Sequence, residues 1–204
     1  MVEADKQSKG GPAGGGVRVS RLMDMFRGRL VGGASEIAQI ETIFFASSNV
    51  QQFGDESERA AFRERWLGRY LDHWPADFFV ASTPDRRIVG YLAGCLDDPA
   101  AQPLFSDLGY VVTFADLSRS YPAHLHINLD PGWRSSGIGT QLIEAFCAHA
   151  AGRVAGVHVV TGRASRNVRF YERNGFRLLR TTRSQWSDGE IAFLGRALGP
   201  AAAI

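Results

Sequence analysis

The junction around residues 130–140 constrains the fold more than any other stretch. Tyr121–Asp130 alternates like a strand, and Gly137–Ala151 carries Ile138, Leu142, Ala145 and Phe146 at helical spacing. Between them runs Asp130-Pro-Gly-Trp-Arg134-Ser-Ser-Gly137-Ile-Gly139-Thr140. A strand that passes through Gly-x-Gly straight into a helix belongs to an α/β arrangement. Glycines there let backbone approach a bulky group without a Cβ in the way. The unpaired amides of the helix start, with its dipole, suit a pyrophosphate. Arg134 adds a permanent charge and a planar fork of donors. A tight turn without any ligand would use the same residues.

Two competing phosphate loops fail. A dinucleotide-binding loop needs a third glycine where Leu142 stands, and a P-loop needs a lysine. The only lysines are Lys6 and Lys9, while arginines fill the rest of the chain.

Around this junction the other elements follow from pattern. Residues 1–16, rich in glycine, read as a flexible tail, and 17–204 as one domain. Val17–Leu30 suits a short strand or a helix. Ser35–Ser47 predicts a helix capped by Ser35, with Ile37, Ile40, Ile43 and Phe44 inward. Ser57–His73 predicts another, with Phe62, Trp66, Leu67 and Tyr70 on one side. Asp77–Ser82 and Ile88–Leu96 flank Thr83-Pro84-Asp85-Arg86-Arg87 as an antiparallel hairpin. Residues 97–120 read as a long irregular connection whose apolar piece Tyr110–Phe114 could meet a ligand or partner. Gly156–Thr161 is a strand, Ser165–Asn174 a helix stopped by Gly175. Phe176–Thr182 and Glu190–Ala197 pair around Ser187-Asp188-Gly189. The result is a mixed α/β sheet with one parallel crossover.

The charge balance is 23 basic against 21 acidic residues, too even to argue for nucleic acid. Seven of the arginines lie between Arg163 and Arg183 with one acid, Glu172, a block that suits an anionic ligand or a solvated helix face. No apolar run approaches a membrane span, and no apolar leader opens the chain. Cys95 and Cys147 form no C-x-x-C pair. The expectation is a cytoplasmic, soluble protein with neither a membrane nor a nucleic acid as partner.

Arg134-x-x-Gly137-x-Gly139, preceded by a strand and Pro131, resembles the acetyl-CoA pyrophosphate loop of the GNAT acetyltransferase superfamily. Phe170-Tyr171-Glu172-Arg173-Asn174-Gly175-Phe176 is similar to that family's second signature. The resemblance runs from about Ser35 to the end. More narrowly, Tyr121-Pro-Ala-His-Leu-His126 resembles bacterial acetyltransferases akin to the acetyltransferase-like domain of O-GlcNAcases. One departure stands out: the family's Asn and Ala, seven and four residues before the tyrosine, are here Ala164 and Asn167. Ser165 and Asn167 are the candidates to substitute for that Asn.

The resemblance implies a mostly antiparallel sheet with a parallel, splayed central strand pair flanked by helices. It implies acetyl-CoA as co-substrate, a small-molecule or peptide amine as acceptor, and room for a homodimer. Backbone at Ile127, Asn128 and Leu129 would pair with pantetheine and polarise the thioester. Arg134, Ser135, Ser136, Gly137, Ile138, Gly139 and Thr140 would hold the pyrophosphate, with Asn167 beside the pantetheine. Tyr171 would be the acid for the departing thiolate, unless it only packs its helix on the sheet. His124 and His126 share a strand face with Asn128 and Asp130. His126 and Asn128 would then serve the incoming amine, or the face is simply polar. No third ligand joins the histidines, which argues against zinc. Glu36, Glu41 and Asp116 are weaker bases. Arg166, Arg169 and Arg173 form a stripe that steers an anion or, more plainly, faces water. A CoA-binding module without catalysis is the competing expectation.

Overall fold

The hairpin around Thr83–Arg87 is the simplest place to see sequence become structure. Thr83 N donates to Arg87 O at 2.9 Å and Arg86 N to Thr83 O at 2.9 Å, closing a turn in which Arg86 takes φ 69°. The computed structural model describes residues 16–26, 33–48, 50–184 and 188–199. The expected tail at 1–15 and part of the last hairpin turn lie outside them.

Among the described residues seven strands form one sheet: β1 Arg18–Arg21, β2 Phe78–Ser82, β3 Ile88–Cys95, β4 Ala123–Leu129, β5 Gly156–Gly162, β6 Arg177–Arg183 and β7 Glu190–Ala197. Their order is β1-β2-β3-β4-β5-β7-β6, with every neighbouring pair antiparallel except β4 and β5. The helices are α1 Leu22–Met25, α2 Ala34–Ser47, α3 Glu56–Arg63, α4 Arg69–His73, α5 Gly109–Thr113, α6 Ala115–Ser118, α7 Ile138–Ala150 and α8 Asn167–Arg173. A fully buried β2 and β3 carry helices on both faces. Leu142, Ile143 and Phe146 of α7 pack on one face with Leu92, Val157 and Leu194. Ile40, Phe44, Leu67 and Tyr70 pack on the other with Tyr91, Phe105 and Phe193.

Several expectations need correction. Ser35 does not cap α2; Gly33 does, at φ 129°. Asp55 caps α3 by accepting from Glu58 N at 2.8 Å, one residue earlier than expected. The predicted single helix to His73 is continuous but passes through a π-turn at Glu64–Gly68. Residues 17–30 make both a strand and a helix as far as they are described. Residues 97–120 are not irregular: two 3-10 turns precede α5 and α6, and Tyr110, Val111 and Phe114 are buried in the core. Short helices there carry no cap that pattern could reveal.

What positions the site is the parting of β4 from β5. Their pairing spans only Ala123↔Val157 and His124↔His158. Beyond that point each strand keeps its other partner, Leu129 opposite Gly90 and Gly162 opposite Ile191. A wedge therefore opens between two strands that are each held straight from outside. Asp130 N donates to Val89 O at 3.0 Å, which fixes the phase of the β3–β4 ladder. His126 and Asn128 turn their backbone groups toward β3, while Ile127 and Leu129 turn theirs into the wedge. The backbone of Asn128, expected to be free, is thus engaged.

Candidate active site

The wedge widens into a cleft of about 790 Å³. Its floor is Ile127, Asn128 and Leu129, its near wall Arg134, Ser135, Gly137, Gly139 and Thr140, and its far wall Thr161, Gly162 and the α8 segment with Asn167 and Tyr171. Ten of the residues singled out from sequence meet here. Ser136, Ile138 and His126 do not line it: the Ser136 hydroxyl donates to Trp133 O at 2.6 Å, and the Ile138 side chain is in the core.

The near wall is built by backbone. Ser135 at φ 63° and Gly137 at φ 83° swing the chain into α7, whose first amides have no capping side chain. A Cβ on Gly137 would meet nothing within 4 Å, so the space beside it is open. Gly139 is glycine for another reason, since its Cβ would lie 3.0 Å from the Phe170 ring. That close approach seats α8 against α7. Arg134 donates to the Ser47 hydroxyl at 3.3 Å, and Ser47 donates to Leu129 O at 3.4 Å. Ser47, at the end of α2, was missed because nothing in its neighbourhood marks it.

The far wall carries the charge. Arg166, Arg169 and Arg173 line the cleft together with Arg134, and no acid does. All three are exposed to water, as the plainer expectation has it, at the rim of the cleft. Ser165 accepts from Asn167 N at 3.1 Å and starts α8, and Gly175 at φ 81° ends it. Asn174, missed as a site residue although it stands in the second signature, donates to Phe170 O at 2.8 Å and leaves a buried Oδ1 without a partner. Tyr171 is 7% exposed and packs on Phe176 with ring centroids 5.5 Å apart. Burial raises its phenol above the usual value, so it keeps its proton. Its hydroxyl makes no hydrogen bond among the described residues.

The histidines sit below the floor. His126 packs edge-on against Trp66 at 5.2 Å and Tyr70 at 5.4 Å, with a buried, unpartnered Nε2. Burial, helped by the Arg69 and His158 charges, pushes it down to about 4. His158 falls to about 4 by burial, and His124, wholly enclosed, falls as well. Asn128 alone on this face reaches the cleft, donating to the Tyr91 hydroxyl at 2.7 Å. Glu41 is paired with Arg63 and Asp116 with Arg180, away from the cleft. Among the described residues no His, Cys, Asp or Glu cluster could hold a metal, and no helix is long and apolar enough to cross a membrane.

The acetyltransferase (GNAT) domain family matches residues 74–178, from the turn before β2 into β6. The chain belongs to the GNAT acetyltransferase family. The matched span is the wedge and both its walls. Acetyl-CoA-dependent acetyl transfer is the chemistry of that family. Solved structures share the fold: SsHAT at 22% identity and TM-score 0.66, covering 91% of this chain and 100% of its own. PH1933 from Pyrococcus horikoshii OT3 follows at 13% and 0.64, covering 90% and 99%. The NatC complex bound to Gag peptide and CoA is similar at 15% and 0.60, again covering 90% and 99%. No curated protein matches the chain.

Proposed function

We propose that the protein transfers the acetyl group of acetyl-CoA to a primary amine by direct attack, without a covalent enzyme intermediate. The parting of β4 and β5 carries this reading, because it leaves the Ile127 backbone groups and the Leu129 amide without a strand partner at the cleft floor. An extended pantetheine can add to β4 there as a short strand. The bare start of α7 and four arginines suit the pyrophosphate end. The residues present therefore fit the co-substrate.

The chain's own groups then divide the work. A floor amide of Ile127 or Leu129 polarises the thioester carbonyl and steadies its oxyanion. Tyr171, held protonated by burial, donates toward the departing sulfur. His126, the residue expected to take the amine's proton, has its ring below the floor against Trp66 and Tyr70, outside the cleft. The amine's proton therefore leaves through solvent. Holding amine and thioester together supplies much of the rate. The acceptor class, small molecule or peptide, is open to both; the NatC complex, similar in fold, is bound to Gag peptide and CoA. The narrower likeness to O-GlcNAcase-associated acetyltransferases rests on Tyr121–His126 and adds no substrate.

Isothermal titration tests the first half. Acetyl-CoA should bind with one-to-one stoichiometry, and Thr140→Glu, which puts a carboxylate at the bare helix start, should abolish the heat. Equal affinity in both proteins would reject the site.

A further inference from the structure

Of the described residues that line the cleft, every one but Ser47 lies between Ile127 and Asn174. Ser47 stands 82 residues ahead of Leu129 and 87 ahead of Arg134, outside the span 74–178 that the family matches. It is the last residue of α2, a helix packed on β3 and β4 with Ile40, Ile43 and Phe44 buried. Ser48 follows in an extended conformation, its N donating to Phe45 O at 3.3 Å, so the helix stops at the cleft.

A hydroxyl has one proton and two lone pairs. Ser47 gives its proton to Leu129 O at 3.4 Å, which leaves a lone pair to accept from Arg134 Nη2 at 3.3 Å. That carbonyl ends β4, where the next amide, Asp130 N, is bonded to Val89 O at 3.0 Å. The chain of contacts from Arg134 through Ser47 is therefore anchored on the sheet. Arg134 is alone in this among the four arginines of the cleft. Among the described residues Arg166, Arg169 and Arg173 make no side-chain hydrogen bond or ion pair, and Arg134 meets no carboxylate. The rest of its planar fork of donors is thus left for an anion. An arginine loose in water loses rotamer freedom when it grips a phosphate, and one already held has lost it beforehand.

We propose that Ser47 is a positioning residue for acetyl-CoA: it holds the Arg134 guanidinium at the near wall, pre-set for a phosphate of the co-substrate. The inference rests on the acetyl-CoA binding argued above. Ser47 acts through Arg134 and takes no part in moving the acetyl group, so its signature is affinity, with kcat left alone. Arg166, Arg169 and Arg173, exposed to water, draw the anion in by charge at longer range.

The test is calorimetry with acetyl-CoA on the full-length protein. Ser47→Ala should bind about fivefold more weakly, the effect of losing one ordinary hydrogen bond. Ser47→Thr, which keeps the hydroxyl, should match the wild type. Ser47→Val, of the same shape without the hydroxyl, should match Ser47→Ala. Arg134→Ala should lose more than Ser47→Ala, and adding Ser47→Ala to it should change affinity by no more than about twofold. In turnover with an added amine, KM for acetyl-CoA should rise in Ser47→Ala while kcat stays within about twofold. Equal affinity in the wild type and Ser47→Ala would overturn the inference, as would Ser47→Val matching Ser47→Thr. Losses that multiply in the double variant, or wild-type affinity in Arg134→Ala, would overturn it too, since Ser47 would not act through Arg134. Those outcomes leave the co-substrate reading standing. A wild type that binds no acetyl-CoA would remove that reading and this inference together.

Discussion

At the scale of single residues the account turns on protons. Tyr171 keeps its hydroxyl proton because its ring is buried between α8 and the sheet. Tyr171→Phe removes only that proton and leaves the packing on Phe176. Turnover should fall roughly a hundredfold while acetyl-CoA affinity stays within about twofold, the mark of an interaction made in the transition state. Equal turnover would leave Tyr171 a packing residue. His126 answers a different question. It was legible as a strand-face residue beside Asn128, but its enclosure by Trp66 and Tyr70 was not, since those rings arrive from a helix nearly sixty residues earlier. His126→Gln should therefore leave turnover and acetyl-CoA affinity within about twofold; a large loss of turnover alone would put the ring on the proton path.

At the scale of elements the near wall depends on backbone shape. Gly137 occupies left-handed space beside an open cleft, so Gly137→Ala should cost about 1–2 kcal/mol of stability. Gly139→Ala disturbs the seat of Phe170 instead and should loosen α8. Denaturant melts of the two variants, read beside calorimetry with acetyl-CoA, separate strain from loss of the α7–α8 contact. The strand–glycine–helix junction was readable because strand and helix periods meet there within a few residues. The hairpin at Thr83–Arg87 was readable for its turn chemistry. α5 and α6 were not, because two short helices without caps look like loop. The π-turn in the α3–α4 helix leaves no trace in spacing at all. The role of the Arg166–Arg173 stripe was equally hidden: helical spacing places three arginines together, but only the sheet shows which side the cleft is on.

For the whole molecule two fields matter. The cleft presents four arginines and no acid to an anionic co-substrate. Acetyl-CoA affinity should therefore fall several-fold between about 0.05 and about 0.5 M salt, as screening shortens to a few ångströms. Replacing Arg166 and Arg169 by serine should flatten that dependence. Stability has its own pH dependence. His126 and His158 bind protons near 6.5 when unfolded and only near 4 in the fold. Between those values the unfolded chain takes up protons that the fold refuses. Stability is therefore full above about pH 6.5 and falls as pH drops toward 4, by about 2 kcal/mol per ring at pH 5. Urea melts at pH 7 and pH 5 measure this, and His158→Gln should shrink the loss by about a third if the three rings share it. A stability unchanged between the two pH values would mean that the histidines are hydrated.

The central claim is that the wedge between β4 and β5 delivers an acetyl group to an amine. Its most direct measurement is the release of CoA thiol from acetyl-CoA by wild-type protein, with and without a panel of amines and short peptides, beside the Thr140→Glu variant. The account predicts amine-dependent release by the wild type, the matching acetylated amine in the product, and no release above background by the variant. Tight acetyl-CoA binding with no release for any amine would contradict it and leave a CoA-binding module.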